Sequence, residues 1–413
     1  MEIEKSNVNI KLTLVIKYIA MAVIIGIIVG IVDTIFGRGL LAISDFRTAN
    51  YKYLIPFLPM AGLFIVWMYS YFSKVSLKGM TLVFEAGQNK RDSIPMALVP
   101  LVMIGTWITH LFGGSAGREG VAVQIGATLS HYFGRKLKTP DNSKVMLITG
   151  MAAGFGGLFQ TPLAATFFAM EVIVAGYMDY QALLPAITAA FVASFTSHTL
   201  GLEKFVVELN ETINISDVKT VIGIIILGLA FGIVGRIFSY LLQLLKKIMA
   251  EKIANPYVRI GLVSIPLAII LLLLWHGRYS GLGTNLISNA FGNGEIFLVD
   301  WLLKLLLTVL TLSIGFQGGE VTPLFSIGAT LGVVLGSLFG ISPIVCGALG
   351  YAAVFGSATN TLIAPILIGV EVFGPEHVVW FAIICMIAFA CNGNKTIYGK
   401  QRLSKMSDFN RIK

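Results

Sequence analysis

Apolar residues in this chain come in long, nearly unbroken runs. Residues 16–36, 221–241, 260–275 with their flanks, and 378–391 are the clearest. Each approaches the ~20 residues that carry a helix across hydrocarbon. Lipid offers no water to bond exposed peptide groups, so such runs predict helices that satisfy their own backbones. The first run is too long for the apolar core of a secretion signal and lacks a small-residue cleavage site, so it predicts a first membrane helix.

The chain also resembles itself. GMAAGFGGLFQTPLAATFFAMEV begins at Gly150 and GYAAVFGSATNTLIAPILIGVEV at Gly350, 200 residues on. Gly, Ala-Ala, Phe-Gly, Thr, Ala and Glu-Val coincide. Upstream, IGAT at Ile125 matches IGAT at Ile327, and the first glycine of each is followed eight residues later by another, Gly134 and Gly336. Two matches in order at nearly one spacing predict two related halves. In transporters such halves are commonly inverted, with the binding site where broken helices meet at mid-membrane. The expected boundary lies near Asn210, giving halves 1–210 and 211–413, the second with a short basic cytoplasmic tail. The expected fold is an all-α integral membrane protein of tilted and broken helices.

Composition agrees: 56% of residues are hydrophobic and 12% charged, where a soluble domain has about 25% charged. The net charge of +9 needs no nucleic acid, because Lys and Arg collect in cytoplasmic loops. Lys395, Lys400, Arg402, Lys405, Arg411 and Lys413 crowd the end, and Lys246, Lys247 and Lys252 follow an apolar run. Residues 203–217 are acidic instead. Both termini are therefore expected inside and that loop outside, in a multi-pass protein of the plasma membrane. Cys346, Cys385 and Cys391 lack metal-ligand spacing and suit small buried apolar positions. No phosphate loop, metal cluster, cofactor motif or catalytic triad stands out, which argues against an enzyme, including one acting on lipid.

Two glycine-rich stretches carry the candidate chemistry. One runs from Gly113 to Gly126 and places Glu119 at a helix start. The other runs from Gly315 through Gly319, Glu320, Val321 and Thr322 to Pro323, a residue suited to a first helical turn. Both precede the repeated IGAT runs, so they occupy one place in each half. Two helix N-termini would then converge, and their free N–H groups and dipoles form an anion site. An ionised carboxylate there occupies the site itself; protonated, it loses its charge and can leave. Such a group links anion movement to protons. A purely structural or sensory protein gives no reason for two glycine-flanked glutamates at helix starts.

GREGVAVQIG, from Gly117, closely resembles the GREGP-type motif of the CLC chloride channels and transporters. GGEVTP resembles that family's Gly-x-Phe-x-Pro motif, FQTPLA at Phe159 its FNAPLA segment, and KTIYGK at Lys395 the segment holding its anion-coordinating tyrosine. The resemblance runs in family order from about Met80 to Tyr398. It implies the CLC fold and a homodimer with a separate pathway in each subunit.

Departures from the pattern narrow it. Where the family has GSGIP, whose serine contacts the anion, this chain has Ser76-Leu-Lys-Gly-Met-Thr81, with Met80 in the serine's place. Val121 replaces the proline of GREGP. Glu320 and Val321 stand where chloride-type members have apolar residues, and Val172 stands where many exchangers have an inner proton-transfer glutamate. This combination is similar to the fluoride/proton antiporter branch found in bacteria. The branch implies a fluoride exporter driven by proton entry, with a chloride channel or chloride/proton exchanger as the alternative. It implies Glu119 as gate and proton acceptor, with Glu320 and Thr322 on a polar route. Met80, Phe84, Gly319, Glu320, Val321 and Tyr398 would surround the anion. Glu320 and Val321 would give N–H groups, Tyr398 its hydroxyl and Phe84 a ring edge. Glu320 is expected as an unpaired intramembrane carboxylate. Arg118 is expected to be a structural or steering charge, and Glu171 and Glu371, which match across the repeat, helix-end or interface groups.

Overall fold

The computed structural model describes residues 2–136, 142–209, 211, 218–292 and 294–404, with side chains from residue 13 onward except at 142 and 218. Asn210, Asp217, Lys405, Arg411 and Lys413, on which the expected boundary, acidic loop and basic tail partly rest, lie outside the described residues. The first half of the described chain contains α1 (Glu2–Leu54), α2 (Leu58–Phe72), α3 (Met80–Gly87), α4 (Leu98–Leu111), α5 (Glu119–Gly134), α6 (Asn142–Phe159), α7 (Pro162–Glu171) and α8 (Leu183–Thr199). There follow α9 (Val218–Lys252), α10 (Pro256–Leu273), α11 (Thr284–Phe291), α12 (Asp300–Ser313), α13 (Val321–Phe339), α14 (Pro343–Thr359), α15 (Ile363–Phe373) and α16 (Val378–Cys391). Two-residue strands β1 (Val174–Ala175) and β2 (Arg402–Leu403) pair in parallel.

Five segments among the described residues are helical and apolar over a length that crosses a membrane: 13–72, 180–199, 219–252, 256–273 and 321–339. The first predicted run, 16–36, proves to be part of a much longer helix, bent at Asn50 (φ −121°, ψ 21°). The run at 378–391 is a helix of only 14 residues, about 21 Å long. It is too short to cross ~30 Å of hydrocarbon alone. α3, α7 and α15, with 8, 10 and 11 residues, are shorter still. Where such a helix starts away from water, its free N–H groups must find partners within the protein.

The repeated glycines explain the packing of each half. A Cβ on Gly126 in α5 would strike the carbonyl of Gly150 in α6, and one on Gly150 would strike that of Gly126. Gly328 in α13 and Gly350 in α14 bar each other in the same way. The residues that matched in sequence are thus the contact points of two equivalent helix pairs. Behind them lies an aromatic core in which Phe325 stacks on Tyr351 at 4.1 Å with 6° between the ring planes.

Candidate functional site

The two glycine-rich stretches meet. Gly117 N–H donates to the Gly319 carbonyl at 2.6 Å, and Gly319 N–H donates to the Gly117 carbonyl at 2.7 Å. Counted back from the matched IGAT runs, these glycines are equivalent residues. A reciprocal exchange between equivalent residues is what a local twofold axis generates, so the starts of α5 and α13 converge from opposite directions.

At this junction the fully buried Glu119 side chain reaches out of its own helix and into the start of α13. Its Oε2 accepts from Thr322 N–H at 3.0 Å and from Thr322 Oγ1, and more weakly from Arg118 N–H at 3.4 Å. Its Oε1 has no hydrogen-bond partner and lies 3.6 Å from Arg118 Nε. Arg118 Nε and Nη1 are likewise buried without partners, so Arg118 sits beside the carboxylate as a loosely engaged charge. The carboxylate occupies the place that helix dipole and N–H groups offer to an anion, held firmly by one oxygen only. The N–H it engages is that of Thr322. The N–H groups of Val321 and Glu320, expected to face the anion, lie one and two residues before it in the chain.

The segment before Glu119 is rigidly set. Lys304, wholly buried in α12, donates through Nζ to Ser115 Oγ (2.9 Å), the Gly281 carbonyl (2.7 Å) and the Tyr279 carbonyl (3.2 Å). Ser115 also bonds Thr308 Oγ1 at 2.8 Å, and Ser115 N–H donates to Thr311 Oγ1 at 3.2 Å. His110 Nε2 lies 2.9 Å from the Ala116 carbonyl. None of these groups was singled out from sequence. Lys304 carried a usable signal, a lone cation within an apolar helix.

On the other side of the junction a vestibule of about 400 Å³ brings together Met80, Phe84, Glu320 and Tyr398, together with Gln124 and Lys246. Gly319, Val321 and Thr322 belong to the backbone between this vestibule and Glu119. Tyr398 is held by its ring, 5.0 Å from Phe84 and 6.4 Å from Phe168 between centroids. Its chain segment is pinned by Ile397 N–H on the Ala358 carbonyl (2.9 Å) and Gln243 on the Ile397 carbonyl (2.7 Å). Glu320 is not the unpaired carboxylate expected: Lys246 Nζ stands 3.6 Å from its Oε1. Lys246 lies inside α9, which runs on past the apolar run instead of giving way to a basic loop. Val172 is buried, and its carbonyl accepts from Gln401 at 2.8 Å.

Glu171 and Glu371 lie away from this centre and cap each other's halves. Glu171 accepts from the N–H groups of Leu362 (3.2 Å), Ile363 (3.2 Å) and Ala364 (2.9 Å) at the start of α15. Glu371 accepts from Leu163 (3.1 Å) and Ala164 (2.8 Å) at the start of α7. The expectation of helix-end groups therefore matches the geometry.

A family model described as voltage gated chloride channel matches residues 61–393. The chain is 34% identical over 399 residues to the chloride/fluoride channel protein of Pseudomonas syringae pv. tomato, covering 94% of this chain and 86% of that one. It is 49% identical to the crystal structure of a CLC-type fluoride/proton antiporter, with a TM-score of 0.92 over 94% of this chain and 98% of the other. A slow cyanobacterial Cl−/H+ antiporter, 19% identical with a TM-score of 0.80, shares the fold over 92% of this chain and 96% of its own. With its many apolar helices and its two converging helix starts, this multi-pass chain belongs to the voltage gated chloride channel family, the CLC family.

Proposed function

We propose that this protein exports fluoride from the cell in exchange for protons. The observation that carries the reading is the Glu119 carboxylate lodged on Thr322 at the start of α13. It is an anion held by the protein in its own anion site. Protonation removes the charge that holds it there, and the freed N–H and hydroxyl of Thr322 then suit a small, hard anion that sheds water only for strong donors. The likeness to a fluoride/proton antiporter at 49% identity supports fluoride as that anion.

In this mechanism the anion enters from the vestibule past Met80, Phe84 and Tyr398. Met80 offers no donor to a larger halide, Tyr398 supplies a hydroxyl and Phe84 a ring edge. The backbone of Gly319 and Val321 completes the passage. Lys246 offsets the charge of Glu320, so that carboxylate does not repel the anion outright. The carboxylate of Glu119 and the anion alternate in one place, which couples the two fluxes. The protein acts as a homodimer in the plasma membrane, with a complete path in each subunit and both termini inside.

The test is efflux from liposomes loaded with fluoride and chloride, read by selective electrodes while external pH is followed. Fluoride release with opposed proton movement is expected, and Glu119→Gln, which mimics the protonated gate, should release fluoride without moving protons. Chloride release in preference to fluoride, or full proton coupling in Glu119→Gln, would overturn the reading.

A further inference from the structure

Between Asp300 and Ser313, α12 interrupts its apolar residues three times, at Lys304, Thr308 and Thr311. Spacings of four and three put these side chains on one face of the helix. All three are wholly buried, and all three reach one residue, Ser115, which is wholly buried as well. Lys304 Nζ donates to Ser115 Oγ, and Ser115 Oγ lies 2.8 Å from Thr308 Oγ1. Ser115 N–H donates to Thr311 Oγ1, whose own hydrogen goes to the Leu307 carbonyl at 2.7 Å.

The ammonium of Lys304 is fully used. It has three hydrogens, and they go to Ser115 Oγ and to the carbonyls of Tyr279 and Gly281. None of these acceptors is a carboxylate, so the cation serves as a three-way donor and not as half of an ion pair. Such a charge inside a membrane helix is costly and marks function. The loop that supplies the carbonyls is shaped for the contact. Gly283 has φ +88°, and a Cβ there would come within 2.7 Å of Lys304 Cε. Gly281 has φ +67°, and the Arg47 guanidinium lies where a side chain at 281 would project. Gly281 N–H donates to the Gly114 carbonyl at 3.0 Å, and Ala116 N–H donates to the Gly281 carbonyl at 3.2 Å.

α12 also leads, through the second glycine-rich stretch, into the start of α13, where Thr322 receives Glu119. The contacts therefore close a ring. Ser115 joins Glu119 along the chain, Glu119 joins Thr322 by hydrogen bonds, Thr322 joins Thr311 along the chain, and Thr311 joins Ser115 by a hydrogen bond. A fully bonded buried network rigidifies what it holds. The base of the gate is thus fixed, whereas the Glu119 carboxylate, with Oε1 unbonded, is free to leave.

We propose that Lys304 is a positioning residue for the coupling of proton and anion movement. Acting through Ser115, it holds Glu119 in register with Thr322, so that carboxylate and anion can only alternate there. Without that register the anion passes while the carboxylate lies elsewhere, and fluoride leaks without protons. The proposal rests on the antiport proposed above.

Liposomes carrying the full chain and loaded with fluoride, with fluoride release and external pH recorded together, give the protons moved per fluoride. This ratio is expected to fall several-fold in Lys304→Met, which keeps an unbranched side chain without donors. It should fall in Ser115→Ala too, which loses only a hydroxyl and decides the matter if Lys304→Met does not fold. The double variant should be no less coupled than Lys304→Met, because the two residues act in series. Glu371→Ala, which strips a cap away from the gate, should lower the midpoint of thermal unfolding and keep the wild-type ratio. A wild-type ratio in either single variant overturns the proposal, as does a double variant whose loss is the product of the single losses. An equal loss in Glu371→Ala overturns it as well, by making the effect one of stability alone. A wild type that moves no protons overturns the antiport reading and this proposal together, whereas a coupled wild type beside equally coupled variants overturns this proposal only.

Discussion

At the scale of single residues, the site is defined by which donors are engaged and which are withheld. Thr322 gives Glu119 both a backbone and a side-chain donor, whereas Met80 gives the vestibule none. A donor restored at position 80 would favour a larger, more weakly hydrated halide that gains most from one added contact. Met80→Ser is therefore expected to raise chloride flux relative to fluoride about tenfold, the effect of one charge-assisted hydrogen bond of ~1.5 kcal/mol. Paired efflux traces from one liposome preparation measure the ratio, and an unchanged ratio would remove Met80 from the selectivity account. Position 80 could be singled out because its segment stands, ahead of the matching motifs, where the family has GSGIP. The partnership of Lys246 with Glu320 was not, since 74 residues separate them in the chain.

At the scale of elements, the broken helices persist because carboxylates from elsewhere satisfy their starts. Glu171 serves three N–H groups of α15 and is buried, whereas Glu371 serves two of α7 and is half-buried. Bonds to a charged partner contribute roughly 1.5–3 kcal/mol each, so Glu171→Ala should lower the midpoint of thermal unfolding more than Glu371→Ala does. An equal or reversed order would contradict capping as their role. The paired glycines act at the same scale. In Gly126→Ala the new methyl meets a backbone carbonyl, which cannot swing aside as a side chain would. Overpacking of this kind costs typically 1–3 kcal/mol, so the variant should unfold at lower temperature or lose its single size-exclusion peak. Gly340→Ala, where a methyl meets nothing within 4 Å but the backbone has φ +68°, should be milder. The long apolar runs foretold helices, yet their lengths needed the structure. Hydropathy alone does not tell a spanning helix from one that stops midway on a partner's carboxylate.

At the scale of the molecule, the two halves are joined by their equivalent glycines, Gly117 and Gly319, and by carboxylates that cross between them. The proposed homodimer is checked by light scattering in detergent, with the expected protein mass twice the 44.6 kDa of one chain; a single-chain mass would refute it. What the sequence determined by itself was the membrane class, the repeat and the pair of glycine-rich helix starts on which the proposed anion chemistry rests. Long apolar runs, matched glycines and glycine-flanked glutamates are local patterns, and their physical meaning survives without coordinates. Only the tertiary structure decided that Glu119 leaves its own helix to seat on Thr322, that Lys246 answers Glu320, that Lys304 fixes the segment before Glu119 and that Arg47 lies over Gly281. These are contacts between residues far apart in sequence. Their energies depend on burial and on distances of a few ångströms, which no pattern along the chain encodes.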